Sequence, residues 1–282
     1  MSNRELRVIL DGLTFPEGPR WHDGRLFFSD FYSHRVLAVD LDGNPETICE
    51  VPNQPSGLGW LPDGRLLVVS MRDRRLLRLD PDGLTEAADL SDLAPSHCND
   101  MVVDADGRAY VGNFGFDRHI GEGPRSTNMV RVDPDGATSV AAEDLQFPNG
   151  TVITPDGATL IVGETGGGRL TAYDRDSDGN LSNRRVWADL GGHVPDGICL
   201  DVEGAIWSAD PRNNVVIRVH EGGEIVDRVS TDTQGAFACM LGGADRRTLC
   251  VCTAKTSGPE AMTSTTGRVE VTDVEVPGAG WP

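Results

Sequence analysis

Lysine is almost missing from this sequence: Lys255 stands alone among 282 residues. Schiff-base chemistry therefore has one candidate, and its polar surroundings read as ordinary surface. Basic residues are also outnumbered, 25 against 44 acidic ones, for a formal charge of −19. A field of that sign repels phosphate and argues against nucleic acid or an anionic membrane as partner. No apolar run approaches the roughly 18 residues of a membrane span, and the opening residues lack the basic-then-apolar order of a secretory signal. The expectation is a cytoplasmic protein. Six cysteines include no Cys-x-x-Cys pair, so they read as unpaired, buried thiols rather than a redox or zinc site. A Gly-x-Ser-x-Gly elbow, a Walker-type loop and a His-Glu-x-x-His pair are all missing, which removes the common nucleophile, nucleotide and zinc-protease readings.

What is present is repetition. Segments opening at Glu17-Gly18, Ser56-Gly57, Asn99-Asp100, Asn149-Gly150, Asp196-Gly197 and, more weakly, Phe237-Ala238 each run into a tight turn and a second apolar strand. The turns are Asp23-Gly24, Asp63-Gly64, Asp106-Gly107, Asp156-Gly157 and Glu203-Gly204. Glycine and aspartate suit such turns because they tolerate positive φ. The spacing of roughly 40 to 50 residues is that of propeller blades, and helix-period spacing is essentially lacking. The chain is therefore expected to be all-β, a single six-bladed β-propeller over residues 1–282. Its sixth unit has an inner pair and a long third strand (268–276) but no outer strand. Arg7 to Leu13 has the outer-strand form, so the N-terminal strand is expected to close the last blade and remove its open edge.

Rotation about the propeller axis brings the first residue of every repeat to the centre. Glu17, Asn99, Asn149 and Asp196 then form a ring of carboxylate and carboxamide oxygens, while Ser56 and Phe237 complete the wall. Oxygen-only donors suit a hard cation: calcium comes first, with magnesium, manganese or zinc as alternatives. The connections between second and third strands return to the same face as the ring. The longest, between Asn113 and Asn128, carries Phe114, Phe116, Asp117, Arg118 and His119 and reads as a lid. Its shorter counterparts bring Asp30, Met71, Arg72, Glu164, Thr165 and Asp210 to that face. Gly166-Gly167-Gly168 reads as a hairpin turn, and His22, His34, His193 and His220 as surface residues.

Phe15-Pro16-Glu17-Gly18-Pro19-Arg20-Trp21, Pro55-Ser56-Gly57-Leu58-Gly59-Trp60, Asn99-Asp100, Phe147-Pro148-Asn149-Gly150, Val194-Pro195-Asp196-Gly197 and Met240-Leu241-Gly242-Gly243-Ala244-Asp245 resemble the SMP-30/gluconolactonase/LRE family over nearly the whole chain. The resemblance implies a metal on the propeller axis and a lactone hydrolase. It gives Glu17, Asn149 and Asp196 as metal ligands, Asp196 also as general base, and Asn99 as a contact to metal or substrate. Sugar-lactone hydrolases of the family commonly carry Arg two residues before that Asn, where this chain has His97. With His97 in that place, and Phe114 and Phe116 nearby, a less polar or aromatic lactone becomes a candidate. His97, Asn99, Arg72, Phe114, Phe116 and Asp117 are the expected substrate contacts.

The implied partner is a small-molecule lactone, taken up by a monomer or dimer. Three other readings compete: a phosphotriesterase-like hydrolase, a non-catalytic propeller that uses calcium only to stiffen its axis, and an enzyme that uses the same site for a metal-assisted isomerisation or cyclisation.

Overall fold

A computed structural model describes residues 4–117 and 120–280; Arg118 and His119 of the long loop lie outside the described residues. Six four-stranded antiparallel sheets are arranged as blades. Their inner strands are Pro16–His22, Pro55–Trp60, Cys98–Val103, Pro148–Ile153, Ile198–Leu200 and Gly235–Gly242. Each inner strand touches the next, and that of blade 6 returns to touch that of blade 1, which closes the ring. The outer strand of blade 6 is Arg7–Leu13, paired antiparallel with Gly267–Asp273, with Arg7 opposite Val271. The expected closure is therefore present, and the third strand of that blade stops at Asp273 rather than Val276.

The strands follow from local chemistry. In blade 1 both turn residues, Asp23 at φ 46° and Gly24 at φ 77°, adopt the left-handed backbone that a two-residue hairpin needs. On the same side, Asp104 accepts the amides of Asp106 and Arg108, and Asp201 those of Glu203 and Ala205, so the turn aspartates satisfy backbone groups that the ladder leaves open. Core packing lies between neighbouring blades rather than at one centre. Tyr110 and Met129 of blade 3 meet Leu160 of blade 4, and Trp207 of blade 5 packs with Leu241 and Leu249 of blade 6. All six cysteines are free; five are buried and Cys49 is half-buried. Lys255 is exposed, as its sequence context predicts.

The glycines that follow the ring residues have a different role from the turn-forming one suggested by their dipeptides. A Cβ on Gly57 would lie 2.4 Å from Met101 N, one on Gly150 2.4 Å from Ile198 N, and one on Gly197 2.5 Å from Ala238 Cβ. They are close-approach positions where one blade's backbone rests against the next. Gly150 N donates to Asp196 O at 3.1 Å and Gly197 N to Phe237 O at 2.8 Å, which ties blades 4, 5 and 6 together at the axis.

Gly150→Ala is therefore expected to force blades 4 and 5 apart. The expected loss is about 1–3 kcal/mol of stability, the usual scale for overpacking, read from the denaturant midpoint. An unchanged midpoint would show that the axis can relax around the added methyl.

Candidate active site

Glu17, Asn99, Asn149 and Asp196 all lie buried at the mouths of their inner strands and line one cavity of about 450 Å³. Asn149 Nδ2 donates to Asp196 Oδ1 at 2.5 Å and to Thr165 Oγ1 at 3.1 Å, which leaves the Asn149 oxygen for a ligand. Glu17 Oε2 accepts the Gly18 amide at 3.1 Å. Among the described residues, the second oxygens of Glu17 and Asp196 accept no hydrogen bond from the chain. Asn99 Nδ2 is buried without a partner, an unsatisfied donor beside the acids. No group of three His, Cys, Asp or Glu suited to a metal occurs among the described residues. The donor set is instead two carboxylates and two carboxamides.

Burial raises the Glu17 carboxyl well above its usual range, and repulsion from Asp196 adds to the shift. Burial raises Asp196 as well, partly opposed by the Asn149 hydrogen bond. Arg20, whose charge acts on Glu17, is already committed to Asp100 at 2.9 Å and to the carbonyls of Pro19 and Met101. Two acids thus share a desolvated ring that disfavours their charged forms, without a dedicated cation from the chain to balance them. A divalent cation fits that deficit, because it balances both charges and takes oxygen donors of this kind.

The loops close over the ring as the topology predicts. Met71, Arg72, His97, Phe114, Asp117 and Thr165 line the cavity with the ring residues. Phe116 does not; it is buried behind Phe147, with ring centroids 6.2 Å apart. Asp30, Glu164 and Asp210 do not line it either. They are buried beneath the loops, where Asp30 accepts the amides of Thr14 and Phe15, and Glu164 accepts the Gln146 amide and the side chains of Arg169, Thr171 and Arg184. His22, His34, His193 and His220 are all half-buried rather than free on the surface, and His193 Nδ1 lies 2.6 Å from Asp210.

Several wall residues escaped the sequence reading. Phe15, Gln54 and Phe147 line the cavity and stand, like His97, two residues before a ring position, so the spacing noted for His97 would have found them. Phe31 and Tyr32 come from a three-residue turn after the second strand of blade 1. Ser257, Gly258 and Pro259 come from the blade 6 loop between Ala254 and Gly267. Two wall residues carry unusual backbone: Gln54 at φ 75° and Phe147 at φ 57°. A bulky residue held at positive φ is strained, and such strain concentrates at ligand sites.

Fold and site together define a β-propeller that gathers carboxylates and carboxamides on its axis beneath a small-molecule cavity. The chain belongs to the SMP-30/gluconolactonase/LRE-like family, whose family model matches residues 15–255. It is 29% identical to 6-deoxy-6-sulfogluconolactonase from Pseudomonas putida, with 98% of this chain and 96% of the relative covered. It is likewise 29% identical to pentonolactonase XacC from Haloferax volcanii, over 89% of this chain and 86% of the relative. Among solved structures, the fold matches a calcium-binding protein, regucalcin from Agrobacterium tumefaciens, with a TM-score of 0.83 and 24% identity, covering 99% of this chain and 97% of that one.

Folded-state pKa values above the unfolded ones mean that Glu17 and Asp196 favour the fold only while protonated. Their contribution is full below the unfolded carboxylate range and is lost as pH rises through the folded values. The melting temperature of metal-free protein is therefore expected to fall as pH rises from the ordinary carboxylate range through about 8, the value to which burial pushes Asp196. Asp196→Asn, which removes one of the two charges, should flatten that fall. Parallel curves for wild type and variant in thermal melts would contradict this electrostatic account.

Proposed function

We propose that this protein is a lactonase: it hydrolyses a cyclic ester to a hydroxy acid at the axial ring, with a divalent metal held by Glu17, Asn149 and Asp196. The observation that carries the reading is a pair of buried carboxylates, uncompensated by the chain, at the base of a cavity of small-molecule size. The lactones named for the two 29% identical relatives support the reaction class. Calcium is the proposed ion because every ring donor is an oxygen.

Bound there, the cation would supply Lewis acidity toward the lactone carbonyl. The chain's own groups divide the remaining work. Asn149 fixes one Asp196 oxygen, so the other is held ready to take a proton from water as that water attacks the carbonyl carbon. The unpartnered Asn99 Nδ2 can donate to the substrate oxygen on which negative charge grows. When the ring C–O bond breaks, the proton held on Asp196 passes to the departing alkoxide, and the hydroxy acid leaves with Asp196 restored.

Removing metal with a chelator should abolish proton release from lactones, and one divalent ion should restore it. Asp196→Asn should lower kcat/KM by at least about 100-fold, the scale of a lost general base. Full turnover by a metal-loaded Asp196→Asn protein would remove Asp196 from the base role. A phosphotriester in the same panel separates the two hydrolase readings, and no turnover of any ester leaves the axial metal as a structural brace.

A further inference from the structure

The cavity is not evenly lined. On one side Phe15 lies 4.6 Å from Phe237 and 5.5 Å from Phe31, with Tyr32 6.0 Å from Phe15, all ring centroid distances. This group comes from blades 1 and 6. A second group, Phe114 with Phe147 at 4.8 Å, comes from blades 3 and 4. In a closed ring of six, blade 1 faces blade 4 and blade 6 faces blade 3, so the two aromatic groups oppose one another across the axis. The ring carboxylates and carboxamides lie at the base of the slot between them.

Much of the polar lining is already engaged. Gln54 accepts Arg72 Nε at 2.9 Å and directs its amide to the sulfur of Met71. Thr165 Oγ1 donates to the Pro195 carbonyl at 2.7 Å and accepts from Asn149. The cationic fork of Arg72 belongs to blade 2, and His97 and Asp117 share blade 3 with Phe114, the His97 and Phe114 ring centroids being 6.3 Å apart, so all three polar groups are off the blade 1 and blade 6 wall. Apart from the hydroxyls of Tyr32 and Ser257, the blade 1 and blade 6 wall presents phenylalanine faces, so some of the hydroxyls that surround the ring of a polyhydroxylated lactone would be pressed against surface that offers no partner. An apolar planar group meets the opposite situation: both jaws are aromatic, and each gives it stacking or edge contacts.

We infer that the substrate is a lactone bearing an apolar, aryl-type substituent, which lies between the two aromatic groups while its carbonyl reaches the axial ring. The inference rests on the lactonase reading above and narrows its substrate class. It also departs from the sugar-derived lactones named for the 29% identical relatives. Phe114 is the specificity residue of this slot: it is only half-buried and comes from the long loop rather than from a blade core.

The test compares kcat/KM of metal-loaded protein, by proton release, on three probes: D-glucono-1,5-lactone, unsubstituted δ-valerolactone and δ-phenyl-δ-valerolactone. The phenyl lactone is expected to exceed the sugar lactone by about 100-fold, the discrimination typical of an apolar pocket against added hydroxyls. Phe114→Ser should cut the preference for phenyl over unsubstituted lactone at least about tenfold, chiefly through KM, with Phe114→Leu in between. Equal or faster turnover of the sugar lactone overturns this inference and leaves the lactonase reading standing, as does an equal loss on both δ-lactones in Phe114→Ser. Failure on all three probes overturns the lactonase reading and this inference together. The wild-type comparison decides the matter even where a variant folds poorly.

Discussion

The site depends on backbone touching backbone around the axis. Gly57, Gly150 and Gly197 let neighbouring inner strands approach to distances that any side chain would forbid. That approach brings the ring residues together, and all four are buried. Desolvation, in turn, is the first cause of the raised carboxyls of Glu17 and Asp196. The same two acids on a looser ring would be ordinary solvated carboxylates with little pull on a cation. At Asp196-Gly197 the close-packed glycine and the buried charge are adjacent residues of one dipeptide.

Above the ring, a second tier of buried polar residues holds the cavity wall. Each stands at the end of a second strand and reaches back to the segment that leads into the same blade's ring position. Asp30 takes the amides of Thr14 and Phe15, Glu164 takes that of Gln146, and Asp210 pairs with His193. The residues so held precede Glu17, Asn149 and Asp196 by two or three positions. Phe147, kept at positive φ between the Gln146 contact and a 3.0 Å bond from Thr165 N to its carbonyl, shows what the tier accomplishes. Wall residues are locked before any ligand arrives, which spares binding the cost of ordering them.

Blade number, the closing strand and the four ring residues were all legible in the chain, because each repeats with the propeller's period. Rotational symmetry converts a sequence offset directly into a position about the axis. What does not repeat was harder to see. Arg20 and Asp100 pair from blade 1 to blade 3 with no local signature. Phe31 and Tyr32 sit in a short turn whose backbone recurs after the second strand of blade 4, at Thr165–Gly167, but whose aromatic residues do not. Phe116 belongs to the right loop, yet its side chain turns back onto Phe147, and loop membership alone carries no information on that choice. Asp30, Glu164 and Asp210 lie on the face that the topology predicts, but deeper than a loop position implies. An acid at a strand end reads as a solvated loop residue unless its backbone partners are known.

The outer strand of blade 6 has a bearing on how the molecule comes into being. Arg7–Leu13 finds its partner only in Gly267–Asp273, so a pairing that spans nearly the entire chain must form to complete the circle. Contacts of such long separation are slow to make, since the entropy of joining distant segments is lost before any contact repays it. During synthesis the first blade waits without its neighbour on one side while the later blades emerge. Glu17 belongs to that waiting blade and Asp196 to the fifth, so the paired acids meet only when the circle shuts. Completion of the last sheet and of the axial ring of acids are thereby linked in the folding of the chain.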